Sequence, residues 1–402
     1  MQRLIPIREP ASARPGAPSL RAFLELGFRP LYLAGTGWAL MAVAIWVFAP
    51  HWLAGPLAGV AWHAHEMLWG FVATIAVGFL LTAGANWTGQ VPLAGAPLGA
   101  AVALWAVARA GFLLGTTTAF YVAATAELLF FTAAAVAMAR VVWRTRNRRN
   151  YVVPPMMLGL AVADALFLAS LDDWTATLRA FNAGLLVMAL IALLVARRVI
   201  PFFAMRAVAG LQIPMHDATA RAQLVAGVVA VLALLAGWPW LLAAGAGTAG
   251  ALALWQVLAW RPAAVRSRPI LWILYAGYAG LGVGLLAAAA QAAGVPMRAA
   301  WPVHLVAMAG FSVLIIGMVT RTALGHLGRA LALDRSMVAS YWLVIAAVAL
   351  RLAALWPTAA SPLLLQASAL AWVAAFAAYL WRFTPWMIRP RPDRPPPPPS
   401  NS

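Results

Sequence analysis

The 402-residue chain contains no cysteine, no lysine and only ten acidic side chains. Without cysteine there is no disulfide, no thiolate ligand for haem and no iron–sulfur cluster, and the redox compartment cannot be read from thiols. All 28 basic residues are arginine; with abundant alanine, this reads as the coding bias of a GC-rich genome rather than a functional choice. No P-loop or Rossmann glycine pattern is present, so neither a nucleotide loop nor a nicotinamide or flavin site is expected. Charged residues make up 9% of the chain and hydrophobic ones 64%. A soluble fold would need far more polar surface, so the expected class is an all-α polytopic membrane protein. A net charge of +18 would suggest nucleic acid in a soluble protein, but here its placement argues otherwise.

Apolar runs fall near 31–49, 62–84, 97–114, 117–139, 152–171, 179–200, 222–237, 239–260, 270–291, 301–320, 338–356 and 362–384, which gives twelve spans. The first run lacks the short apolar core and cleavage flank of a signal peptide. Arginines test the count independently. Those at the N-terminus, after the even-numbered spans four, six, eight and ten, and at the C-terminus include 24 of the 28. Twelve spans put all of these on one side, which the positive-inside rule makes cytoplasmic for both termini. Residues 1–28 and the proline-rich 389–402 read as disordered cytoplasmic tails flanking one membrane domain, 29–388.

Polar chemistry concentrates in 62–66, Trp-His-Ala-His-Glu, where the second span begins on the outer side. A polar cluster at the mouth of a membrane helix is costly and needs a partner, a metal or a cofactor. His63 and His65 lie about 200° apart on a regular helix, so they do not share one ion, whereas His63 and Glu66 share a face. The pattern also recurs. Arg29-Pro30, Trp62, His65 and Gly78 reappear as Arg268-Pro269, Trp301, His304 and Gly317 at an offset of 239. This predicts a parallel internal repeat in which helices 1–2 match helices 9–10, and in which His65 and His304 are equivalent.

Two readings of these histidines stand side by side. His65 and His304 could be axial ligands of a b-type haem or imidazole donors to copper, with His63 and Glu66 on a neighbouring part of the metal site. Equally, they could be interfacial histidines bonded to loop carbonyls. Arg109, Arg179, Arg298 and Arg351 would suit haem propionates or another anion, or could form structural pairs with Glu127, Asp164, Asp172 or Asp173. His326 lies about 33 Å along a straight helix from His304 and belongs to the other side. Gly277, Gly280, Gly282 and Gly284 suit close helix packing. The strip 197–203, RRVIPFF, is expected to lead into a surface loop of about twenty residues.

The stretches LGFRPLYL at 26–33, WHAHEMLWGF at 62–71, GFLLTAGANWTGQ at 78–90, RRVIPFF at 197–203, and HLVAMAG with TRTALGHLGR within 304–329 together resemble the NnrS family. That resemblance implies a bacterial inner-membrane protein of about twelve spans that carries haem and copper and is tied to nitric oxide and denitrification stress. The expected function is then binding or detoxifying nitric oxide, or shielding metal pools from it, with electrons from quinol or a partner protein if the protein is an oxidoreductase. The competing readings are a twelve-helix secondary transporter of a small anionic or metal-related substrate, and an assembly factor that uses metal only in passing.

Overall fold

The computed structural model describes residues 16–392. Twelve long helices follow one another: α1 (Phe28–Phe48), α2 (Gly59–Thr88), α3 (Gly95–Leu113), α4 (Thr117–Arg144), α5 (Val153–Ala169), α6 (Trp174–Ala207), α7 (Asp217–Ala236), α8 (Pro239–Ala259), α9 (Pro269–Ala292), α10 (Ala300–His326), α11 (Arg335–Ala354) and α12 (Ser361–Met387). No strand occurs among the described residues. All twelve are long and apolar enough to cross a bilayer, and the chain is a multi-pass membrane protein. Large apolar side chains such as Trp240, Leu258 and Trp381 face outward, as lipid contact requires.

The helix ends carry local signals. Thr116, Asp173 and Asp334 accept backbone N–H bonds and cap α4, α6 and α11. Proline opens α8, α9 and α12. Gly89 and Gly237 close α2 and α7 in the left-handed conformation. Several helices outrun their apolar cores because arginine-bearing turns continue beyond them, as in α4 to Arg144.

Two sequence expectations are corrected here. The loop after the strip 197–203 is shorter than expected: α6 runs through Pro201 to Ala207, and α7 begins at Asp217. Arg198 holds the strip by donating to Asn150 Oδ1 at 2.9 Å, and Arg321 lies 3.8 Å over the Phe203 ring. Residues 16–28 are not a free tail either. Ser19 caps a short turn, its N–H donates to Ile388 O at 2.8 Å, and Arg29 donates to the carbonyls of Met387 and Arg389. The start and end of the bundle are thereby clasped together. The tail expectations for 1–15 and 393–402 lie outside the described residues.

α2 is the most buried helix, with 83% of its apolar window inside the protein against 28–67% for the others. It is not a regular helix. Glu66–Ala73 is π-helical, and so is Leu305–Ser312 in α10, at the same spacing along the chain as the sequence repeat. Thr74 and Ser312 each donate a hydroxyl to the carbonyl five residues back, Trp69 and Ala307. Such π segments are rare and often mark functional sites. The two π segments touch at the centre of the bundle, where α1 packs on the first and α9 on the second.

Glycines set the second of these contacts. A Cβ on Gly280 would stand 2.1 Å from the Ala309 carbonyl oxygen, and Gly277 and Gly284 meet the backbone of Leu314 and Val306. Gly282 faces Leu254 of α8 instead. Backbone-to-backbone packing of this kind is how small residues bring membrane helices together. Gly280→Ala should therefore push α9 off the π segment and cost about 1–3 kcal/mol of stability, read as a lower unfolding temperature in detergent; Gly37→Ala, which meets nothing within 4 Å, should leave that temperature unchanged.

Candidate functional site

Two polar sites flank α2 at the end of the bundle away from the arginine-rich loops. The first is sealed. His65, Glu66, Arg109, Glu127 and Asp164 come from α2, α3, α4 and α5, and none is more than 3% exposed. His65 Nδ1 lies 3.0 Å from Glu66 Oε1, and Nε2 lies 3.0 Å from Asp164 Oδ1 and 3.2 Å from Glu127 Oε2. Arg109 donates through Nη1 to Glu66 Oε2 at 2.5 Å and through Nη2 to Glu127 Oε1. Trp38 of α1 donates its indole N–H to the same Glu66 oxygen. Trp69, Phe112 and Phe167 wall the imidazole at centroid distances of 4.9–5.6 Å. Gly70 makes room for the group: a Cβ there would strike Arg109, Glu66 and Trp38.

The second site is an apolar cavity of about 290 Å³ between α1, α2, α6, α10, α11 and α12. Its polar edge is made by His63, His304 and Arg351. His304 Nδ1 is 2.7 Å from the Ala300 carbonyl, which can only accept, so Nδ1 carries the proton and Nε2 the lone pair. Arg351 Nε donates to that lone pair at 3.1 Å. The His63 ring stacks on Trp46 at 4.9 Å, and its buried Nδ1 has no hydrogen-bond partner. Met67 and Met308 line the wall.

The pairing of His65 with His304 is therefore corrected. His63 shares the cavity with His304, while both nitrogens of His65 are taken up by carboxylates on the other face of α2. Positions two apart on a helix point in nearly opposite directions, which decides this and also keeps His63 off any ion at His65. Glu66 goes with His65 rather than with His63. Arg109 is a structural partner of two carboxylates. Arg179 is exposed, exposed Arg298 donates to the Leu355 carbonyl at 3.2 Å, and neither lines the cavity. Asp173 is a helix cap. His326 packs against Phe28 at the opposite end.

Of the four arginines suited to an anion, Arg351 is the one set against His304, and Asp164 is brought to His65 rather than to an arginine. Nothing in the sequence linked Asp164 to His65, 99 positions away.

Removing one partner of a buried ion pair leaves an uncompensated charge, so Arg109→Leu, which strands Glu66 and Glu127, should cost about 3–5 kcal/mol. Arg298→Ala should be silent. Thermal unfolding of the purified variants, followed by circular dichroism, separates the two.

A comparison with curated proteins gives no match. The family model for NnrS protein matches residues 22–391, nearly the whole chain. The central helices and both polar sites fall inside that match, and the chain belongs to the NnrS family, membrane proteins of the nitric oxide response.

Proposed function

We propose that the protein binds haem in the apolar cavity, where His304 would hold it, and that it binds or removes nitric oxide there. The observation that carries this reading is the state of His304. Its Nδ1–H is fixed by the Ala300 carbonyl, so a neutral imidazole at the wall of an apolar room keeps a basic Nε2 lone pair, which accepts from Arg351. A ligating histidine is normally held in this way, its second nitrogen donating to a carbonyl or carboxylate. Arg351 stands at the same nitrogen and is placed to release it and take a propionate instead, since guanidinium grips carboxylate in a bidentate manner. His63, with its unpartnered Nδ1, offers a second imidazole at the rim. Copper, also implied by the family, suits the imidazole and thioether groups of His63, His304, Met67 and Met308.

Bound haem would supply an iron centre at which a small neutral gas can coordinate. The chain's own work is to hold His304 in one tautomer, to exclude water with apolar walls, and to keep Arg351 available to a carboxylate. Nitric oxide, being small and apolar, would reach the cavity from the bilayer. The arginine bias supports a bacterial inner-membrane orientation with both termini in the cytoplasm and both polar sites in the periplasmic half. Any turnover would draw electrons from quinol or a donor protein.

Purified from haem-replete cells, the protein is expected to show a Soret band. The band should be lost in His304→Ala, weakened in Arg351→Leu, shifted in His63→Ala and unchanged in Arg298→Ala. A colourless wild-type protein would overturn the haem reading and favour a twelve-helix transporter that uses the cavity for substrate.

A further inference from the structure

We propose that the sealed cluster beside α2 is a second site, in which His65, Glu127 and Asp164 bind one divalent cation. The argument begins with the hydrogens available. A histidine ring has two nitrogens, and His65 faces three carboxylate oxygens with them. If Nδ1–H donates to Glu66, a neutral ring turns its Nε2 lone pair toward oxygens of both Asp164 and Glu127. Lone pairs of one imidazole and two carboxylates then converge at 3.0 and 3.2 Å with nothing positive between them. That convergence is unfavourable unless a cation lies among them.

Protonating His65 does not resolve the imbalance. Its single Nε2–H is directed at Asp164 Oδ1, and Glu127 Oε2, although only 3.2 Å away, accepts no hydrogen bond. Asp164 Oδ2 is also buried and unpartnered. Three carboxylates against Arg109 and an imidazolium leave a net charge of −1 inside the helix bundle. A dication with neutral His65 brings the same sum to zero.

The donor geometry agrees. The three ligand atoms lie within 4.8 Å of one another. Separations of 3.0 and 3.2 Å match the ligand–ligand edges of an ion bound at about 2.1 Å. Glu66 accepting from Nδ1–H while Nε2 meets the ion is the carboxylate–histidine–metal arrangement that orients ligating imidazoles. Arg109 then holds both Glu66 and Glu127 in place. One nitrogen and two carboxylate oxygens form an oxygen-rich set that suits Mn(II), Fe(II) or Zn(II) better than Cu(I). The site is thus chemically distinct from the His63–His304 cavity, and it needs no haem.

The test uses full-length protein in lipid nanodiscs, stripped with a chelator and titrated with MnCl₂. Free Mn(II) is followed by electron paramagnetic resonance, with ZnCl₂ as competitor. Saturable binding of one ion per chain is expected, with a rise in unfolding temperature on loading. Asp164→Asn and Glu127→Gln should weaken binding by at least about tenfold and abolish the temperature rise, while His304→Ala should leave both unchanged. Wild-type protein that binds neither Mn(II) nor Zn(II) saturably overturns the proposal and points to an extra proton as the balancing charge. So does undiminished binding in a folded Asp164→Asn variant. No readout depends on the Soret band, so this site and the haem site stand or fall separately.

Discussion

Three carboxylates gathered around one imidazole in a lipid-embedded interior form the constraint to which the surrounding fold conforms. Each unpaired charge there would cost several kcal/mol, so the helices that carry compensating groups must arrive together. Arg109 reaches two of the acids, Trp38 adds a donor, and Asp164 closes the ring from α5. The cluster thereby ties α1 through α5 to the start of α2. A bundle held only by apolar packing would have no such preference, because lipid tails solvate leucine as well as another helix does.

The second organising feature is backbone contact at the centre. The π segments of α2 and α10 are separated by more than half the chain and touch in space. Glycines of α9 let its backbone reach α10 directly, and Gly70 of α2 leaves its missing side-chain volume to the ion cluster. The two segments share the same backbone device while the chemistry on either side differs. Beside α2 an arginine of α3 meets carboxylates; beside α10, Arg351 of α11 meets His304 next to an apolar room.

α2 therefore works as a partition. One face presents His65 to a water-excluding polar pocket, and the other presents His63 to an apolar cavity large enough for a ligand. The two rooms offer different donor sets within two residues of each other, because a turn of about 100° per residue points positions two apart to opposite sides of the helix.

Much of this was open to a reader of the sequence. The twelve spans, the all-α class and the polar concentration around 62–66 follow from partition between water and lipid, which acts residue by residue and needs no knowledge of neighbours. The family resemblance rested on the same stretches. The first turn at Leu20–Phe23 and the extension of α6 past Pro201 were missed because contacts with Ile388, Asn150 and Arg321 hold them, and these are distant in sequence. The histidine pairing was misassigned for the same reason. Equivalent positions in a repeat share a backbone environment, but which wall each ring faces depends on helices from other units. Composition and periodicity alone determined that this chain spans a membrane and gathers its rare polar groups at one end. Only the packing of twelve helices decided that His63, not His65, shares a cavity with His304, because the direction of a side chain gains a meaning only when another element is brought against it.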